Sequence, residues 1–436
     1  MTETTLPDAD RSPLRIANFR AYWFSRLSMT LAQYAMMLII GWQTYNIARD
    51  GGMGVGAASG QLALIGLLQF VPLFLLTPFS GWAADHFDRR NIARLTVLAQ
   101  LGCAATLAWL TTSTNLTLPT LFSVAVVLGI VRAFNGPALS ALAPNLVPKT
   151  ILPNAIALSS IAWQVGMIVG PAIGGYTYAI FPALPYCVAL GLFACSLVAL
   201  SFIGRVPQPP REANRRPIHQ MVEGLRYVVR NKMVLGAITL DLFAVFLAGA
   251  TALFPVYARD ILEVGETGLA QLAMAPAVGA ALTALWFSFR PLKTNVGPKM
   301  LLAVAVFGLA TIIFGLSQSM PLSLAMLFIV GAADMFSVYI RQSLIQLHTP
   351  DDKRGRVSSV SLLTISASNE FGDFFSGSLA FLLGPVLAVV GGGVGAIVTV
   401  ALWAKIFPVL RTTRTFDPPE ELLDTPPEQK LQEQMP

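Results

Sequence analysis

Charge is what this sequence has least of: 12% of its 436 residues are Asp, Glu, Lys or Arg, against roughly 25% in a soluble domain. With 55% of residues hydrophobic, water is not the chain's main solvent. Polar stretches are few as well. The longest are residues 1–20, 205–232 and 409–436, which leaves no room for a folded domain outside a membrane. Cysteine is rare: Cys103, Cys187 and Cys195 fall inside apolar runs without a CxxC or other metal spacing. They are expected to be free thiols in helix packing, and no metal site is expected. A GxxxxGK[ST] loop is absent, and with it a nucleotide-driven pump. No nucleophile constellation is present and the polar loops are too short to build one, so the chain does not read as an enzyme. The net charge of +6 is not carried by basic runs interleaved with aromatics, so nucleic acid is not an expected partner.

What the chain has instead is a series of long apolar runs. A bilayer core of about 30 Å takes about 20 apolar helical residues per crossing. Such runs lie near 22–47, 61–84, 92–112, 118–140, 153–180 and 185–204, and again near 234–257, 268–289, 300–317, 321–342, 358–383 and 386–408. The first extends from about Leu27 to Ile47 without a small-residue cleavage site, so it reads as a spanning helix rather than a signal peptide. The pattern predicts an all-α integral membrane protein with twelve transmembrane helices. Its segments are a cytoplasmic start (1–21), six helices (22–204), a linker (205–233), six helices (234–408) and a tail (409–436). Lys and Arg accumulate on the cytoplasmic side of a membrane protein. With the N-terminus inside, all of the 29 fall there except Arg49 and Arg259 outside and Arg26 and Arg132 within helices. Both termini are therefore expected in the cytoplasm, with the bilayer as the surrounding partner.

The linker holds Pro207, Pro209 and Pro210, then a stretch from Ile218 to Lys232 where Met221, Leu225, Val228 and Val229 recur at helical spacing beside Arg226 and Arg230. A basic amphipathic helix on the inner leaflet is the physical reading; a solvated connector is the plainer one. Residues 417–436, proline-rich and acidic, are expected to be disordered.

Motifs stand at fixed places in the first half. After the second run comes a turn with Gly81, Asp85, Arg89 and Arg90. Gly81 permits close helix approach, and Asp85 can face the positive end of a neighbouring helix. The fourth run carries Arg132, four residues before Gly136; an arginine at membrane depth is costly and a functional candidate, unless it is paired internally for structure. The fifth carries Gly166, Gly170, Pro171, Gly174 and Gly175. Glycines four apart make one smooth packing stripe, and the proline removes a backbone donor and bends the helix.

These residues resemble the major facilitator superfamily. The turn is similar to its G-xxx-D-R/K-x-G-R-R/K loop, with His86 and Asp88 departing at the second basic position and second glycine. The Gly166 to Gly175 string resembles the antiporter motif of facilitator exporters, and Arg132 with Gly136 resembles an R-xxx-G pattern. The second half repeats the plan weakly in Arg290 to Lys299 and in Arg354-Gly355-Arg356. The stretches from Gln342 to Pro350, Arg354 to Val357, Asn369 to Asp373 and Glu223 to Val228 are similar to the enterobactin exporter branch, whose motifs macrolide and multidrug exporters share. The resemblance implies two pseudo-symmetric six-helix bundles rocking about a midplane cavity. Gly81, Asp85, Arg89, Arg90, Gly166, Gly170, Pro171 and Gly174 would then serve the gates.

Ionisable groups in the helices give the remaining candidates. Asp241, Asp334, Glu370 and Asp373 are candidates for proton coupling. Glu370 and Asp373 are three apart and share a face, where two carboxylates in low dielectric favour holding a proton. Arg341 lies two turns from Asp334 on the same face. Arg26, Arg132, Trp163, Phe243 and Phe246 are candidates for substrate contact, although the aromatics also suit packing and Arg26 also suits snorkelling. Three functions stand open: a proton-coupled exporter of a siderophore or similar amphipathic metabolite, a multidrug or macrolide efflux pump, and an importer or non-transporting sensor. A proton gradient, without a bound cofactor, would drive either exporter. The protein is expected as a monomer in the bacterial inner membrane, with periplasmic or outer-membrane efflux partners as a further expectation.

Overall fold

A computed structural model describes residues 12–204 and 217–417; the proline hinge at 207–210, Arg11 and most of the expected disordered tail lie outside that set. Every long element among the described residues is helical. In order they are α1 (Ala17–Asp50), α2 (Val55–His86), α3 (Arg89–Thr112), α4 (Leu118–Leu142), α5 (Leu152–Ile180) and α6 (Leu184–Ser201). There follow α7 (Pro217–Arg230), α8 (Lys232–Leu247), α9 (Phe254–Val256), α10 (Gly265–Phe289) and α11 (Val296–Leu316). The last are α12 (Met320–Leu347), α13 (Asp351–Leu383), α14 (Pro385–Ile406) and the short α15 (Pro408–Thr412).

Ten of these segments are long and apolar enough to cross a membrane: α2 to α6, the stretch from α8 to Ile261, α10, α11, α12 and α14. The helices α1 and α13, at 34 and 33 residues, are long enough at 1.5 Å per residue but do not meet that apolar composition. α1 carries Ser25, Arg26, Thr30, Gln43, Thr44 and Arg49, and several of these are buried against protein. Polar side chains at membrane depth point into a bundle rather than to lipid, so low hydropathy is the expected mark of helices with the most protein around them.

Helix starts follow from local chemistry. Pro119, Pro153, Pro185, Pro321 and Pro385 occupy the first turns of α4, α5, α6, α12 and α14, where a missing N–H costs nothing. Asp88 caps α3 by accepting from the Arg90 amide, and Asn231 caps α8 by accepting from the amides of Met233 and Val234. Gly384, at φ 88°, makes the turn between α13 and α14 in a conformation that penalises a side chain.

The apolar pattern was expected to form one helix over 234–257, and here the structure differs. α8 stops at Leu247, the chain passes through a one-turn 3-10 helix at Thr251–Leu253, and α9 runs into a π-helical turn at Tyr257–Ile261. Hydropathy continues through a break, because residues on both sides remain buried. Arg341 also needs correction: counted with the cytoplasmic cations, it lies well inside α12 and is 3% exposed. Of the cysteines, all free, only Cys103 is buried; Cys187 and Cys195 are exposed.

Helices α1 to α6 pack mainly on one another, and so do α8, α10 to α12 and α14, while α13 lies as much on α2 as on the second group. One apolar core draws its residues from Phe19 to Ile203 and a second from Val228 to Leu410. The groups meet chiefly where α2 lies on α13 and α5 on α10. A third core spans that seam, joining Trp42, Tyr45 and Leu62 to Phe254, Tyr257 and Ala380. It sits at the ends of α1 and α13, the end of the molecule away from the α6–α8 linker.

Candidate functional site

Asp241 on α8 and Arg341 on α12 are both buried and form an ion pair. Asp334, seven residues before Arg341 and so two turns away, lines a small cavity with Asp241, Ser337, Ala333, Val304 and Phe307. The Nε of Arg341 has no partner among the described residues. One carboxylate is thus paired with the guanidinium, and a second lies beside the pair in an apolar setting. With both carboxylates ionised the three groups carry a net negative charge; with one protonated they are neutral.

The arginines of the first group stand apart from this set. Arg26 on α1 donates from Nη1 to the Tyr22 hydroxyl at 3.0 Å, while its Nε has no partner among the described residues. Arg132 on α4 reaches the Gln69 Oε1 of α2 at 3.5 Å, across a contact so close that a Cβ on Gly129 would stand 2.4 Å from the Gln69 carbonyl oxygen.

Phe246 of α8 belongs to an aromatic seam. Its ring lies 4.7 Å from Phe375 and 5.5 Å from Phe371, and Phe371 lies 5.4 Å from Phe70 of α2. The cluster therefore bridges the two helix groups. Phe243 turns instead to Trp403 of α14 at 5.1 Å, and Trp163 stands 43% exposed on α5. Asp373 accepts from the Thr251 hydroxyl at 3.1 Å, beside the break after α8. The side-chain placement of its expected companion Glu370 lies outside the described residues, as do the surroundings of Gly81 and Asp85.

At the turn after α2, Arg90 is buried; its guanidinium grips Asp88, with Nη2 2.5 Å from Oδ2, and donates to the Ile203 carbonyl at 3.1 Å. Asp88, the departure from the family's second glycine, therefore caps α3 and ties its start to the end of α6. The hydrogen bond from the Arg90 guanidinium holds the Asp88 carboxyl below the usual range. Arg89, half-buried, begins α3.

The glycine string of α5 has a direct physical account. Cβ atoms on Gly166, Gly170 and Gly174 would stand 2.5, 2.6 and 2.7 Å from Thr30, Tyr34 and Ala35 of α1, and one on Gly175 would stand 2.5 Å from Ala270 of α10. The stripe docks α5 on α1, and its last member crosses the seam. Pro171 sits within α5, buried.

One set of residues was not anticipated. Arg49 makes a bidentate contact to Asp260, Nε to Oδ2 at 3.2 Å and Nη2 to Oδ1 at 3.1 Å, and the Tyr45 hydroxyl donates to the same carboxylate. Arg259 donates to Asp50 at 2.6 Å and to the Asn46 side chain at 2.7 Å. α1 belongs to one group and the π-helical turn to the other, so these contacts hold the groups together at the end away from the linker. The signal in the sequence was that Arg49 and Arg259 are the two cations expected outside, each directly followed by an aspartate, Asp50 and Asp260.

A model of the family described as "Transmembrane secretion effector" matches residues 9–434. The multidrug efflux pump Tap of Mycolicibacterium fortuitum is 26% identical over 342 residues, covering 76% of this chain and 79% of that protein. The enterobactin exporter EntS of Escherichia coli is 25% identical over 364 residues, covering 82% and 85%. Among solved structures, a bacterial homologue of the human lysosomal transporter Spinster superposes with a TM-score of 0.67 at 16% identity, covering 92% of this chain and 99% of that one, a likeness of fold. With its helical architecture and apolar spans, the chain belongs to the transmembrane secretion effector family of major facilitator transporters.

Proposed function

We propose that the protein is a proton-coupled exporter that works by alternating access, with twelve transmembrane helices in two six-helix bundles, α1 to α6 and α8 to α14. The bias of Lys and Arg supports cytoplasmic termini in a bacterial inner membrane. The observation that carries the reading is the buried Asp241–Arg341 pair with the half-buried Asp334 on the same small cavity. The three groups reach neutrality by holding one proton, and a change in access to their cavity would let that proton arrive from one side and leave to the other. The proton gradient is the energy source and no cofactor takes part; the transporter is proposed to act as a monomer, handing its solute to periplasmic or outer-membrane partners.

The solute is proposed to be a siderophore or similar amphipathic metabolite. Arg26 and Arg132 supply cationic donors for an acidic or catechol group, and the Phe70–Phe371–Phe246 seam supplies flat apolar surface for a ring. The second reading is multidrug efflux, favoured by the same seam, since stacked phenylalanines grip rings without a fixed hydrogen-bond pattern. The likeness to both EntS and Tap is consistent with either.

The test is proton movement in proteoliposomes under an imposed pH gradient, with a catecholate siderophore, lipophilic cations and macrolides offered in turn. Proton flux evoked by the siderophore alone supports the metabolite exporter, and flux with unrelated drugs supports efflux. Silence with all of them leaves an importer or sensor. Asp241→Asn and Asp334→Asn should each abolish pH-driven transport; if both transport normally, the proton site lies elsewhere.

A further inference from the structure

Helix α7 presents two faces of different chemistry. On one side Gly224 and Val228 are buried. A Cβ on Gly224 would stand 2.9 Å from the Arg356 carbonyl oxygen. Glu223 pairs with Arg356 at 2.5 Å, and the Tyr227 hydroxyl donates to the His348 carbonyl at 2.9 Å. This side fastens α7 to the turn between α12 and α13. On the other side Val222, Leu225 and Val229 are 42%, 51% and 57% exposed, and Arg226 and Arg230 are exposed beside them.

At 100° per residue Leu225, Val229 and Val222 occupy one arc, and Arg226 and Arg230 the arc next to it. An exposed apolar arc edged by arginines matches a surface that is apolar inside and anionic at its rim. Position narrows the choice: Arg230 ends α7 and Lys232 begins the spanning α8, so α7 leaves the membrane boundary with one residue between. We propose that α7 is a lipid contact: Val222, Leu225 and Val229 enter the acyl boundary of the linker-side leaflet, and Arg226 and Arg230 hold anionic headgroups. Because the opposite face is fixed to the start of α13, the leaflet then bears on the α12–α13 turn.

The test uses the full-length chain with Cys103→Ser, Cys187→Ser, Cys195→Ser and Leu225→Cys, labelled with an environment-sensitive dye. The protein is reconstituted in phosphatidylcholine vesicles with or without phosphatidylglycerol. Expected is quenching by a nitroxide lipid but not by aqueous iodide. Phosphatidylglycerol strengthens it, and Arg226→Gln and Arg230→Gln each reduce the inserted fraction relative to the withdrawn one by roughly five-fold. Iodide quenching as strong as for free dye overturns the proposal in favour of a solvated connector. Protection from both quenchers overturns it in favour of a protein partner or second copy. Should the cysteine-free protein not fold, thermal melts of the native-cysteine protein decide. Phosphatidylglycerol should raise the melting temperature of the parent and not of the Arg226→Gln/Arg230→Gln variant, and equal shifts overturn the proposal. Neither readout requires a transported solute, so failure here is separable from failure of the transport reading.

Discussion

A buried ion pair beside a second carboxylate has unequal consequences depending on which member is removed. Arg341→Gln leaves Asp241 without its partner cation, and stranding a buried charge costs about 3–5 kcal/mol. Asp241→Asn/Arg341→Gln removes both partners of the ion pair and should recover most of that loss in thermal melts while transport stays abolished. A double variant no more stable than Arg341→Gln would show that the pair does not bear on stability. Outside the membrane, two groups set an acid response. Burial holds the His348 imidazole below its usual range, so the unfolded chain binds the proton more readily. The stability this contributes is complete above about pH 6.5 and is lost as pH falls through the lower folded value. Asp88, held down by Arg90, acts the same way lower: its contribution is complete above about pH 3.9 and disappears below that. Melts at descending pH should show a first decline starting near pH 6.5 that His348→Gln lacks; an unchanged decline in that variant would place its cause elsewhere.

Helices show most clearly which signals are local. The α5 glycine stripe could be read because its four-residue period is the period of a packing face, and the structure sets that face on α1. The break after α8 could not be read from the apolar pattern, because Ala248, Gly249 and Ala250 leave hydropathy unbroken. A Cβ on Gly249 would meet Gly372 of α13 only at ordinary contact distance, 3.4 Å. The same reasoning separates glycines that look alike in sequence. Gly174→Ala places a methyl 2.7 Å from the Ala35 carbonyl oxygen and Gly331→Ala 1.8 Å from that of Pro276, while Gly102 has nothing within 4 Å. Gly174→Ala and Gly331→Ala should lower the melting temperature in detergent, Gly331→Ala more. Gly102→Ala should be neutral or gain about 0.5–1 kcal/mol from the loss of glycine's backbone freedom. An intact Gly331→Ala protein would show that α10 and α12 can separate without cost.

At the scale of the whole molecule, the contacts between the helix groups decide what the protein can do, and these were the least legible part. Arg49 and Arg259 each read as a loop cation, since nothing local says that residues 211 apart meet. Asp241 and Arg341 had the same difficulty, although Asp334 and Arg341 could be placed on one face by spacing alone. The two ion pairs and the Tyr45 hydroxyl hold α1 against the π-helical turn, so any state open at that end must break them. They are partly exposed, where ion pairs are individually worth about 1 kcal/mol or less. Such a latch biases an equilibrium and does not lock it. Spin labels at Asn115→Cys and Gln318→Cys, exposed in the α3–α4 and α11–α12 turns of the chain without native cysteines, would report separation of the two groups at this end. Arg49→Gln and Asp260→Asn should each shift the distance distribution toward longer values, by up to about five-fold in population. The exchange Arg49→Asp/Asp260→Arg should bring it back. Distributions that coincide in all variants would mean that the apolar seam of Trp42, Leu62 and Phe254 holds this end closed without help from charge.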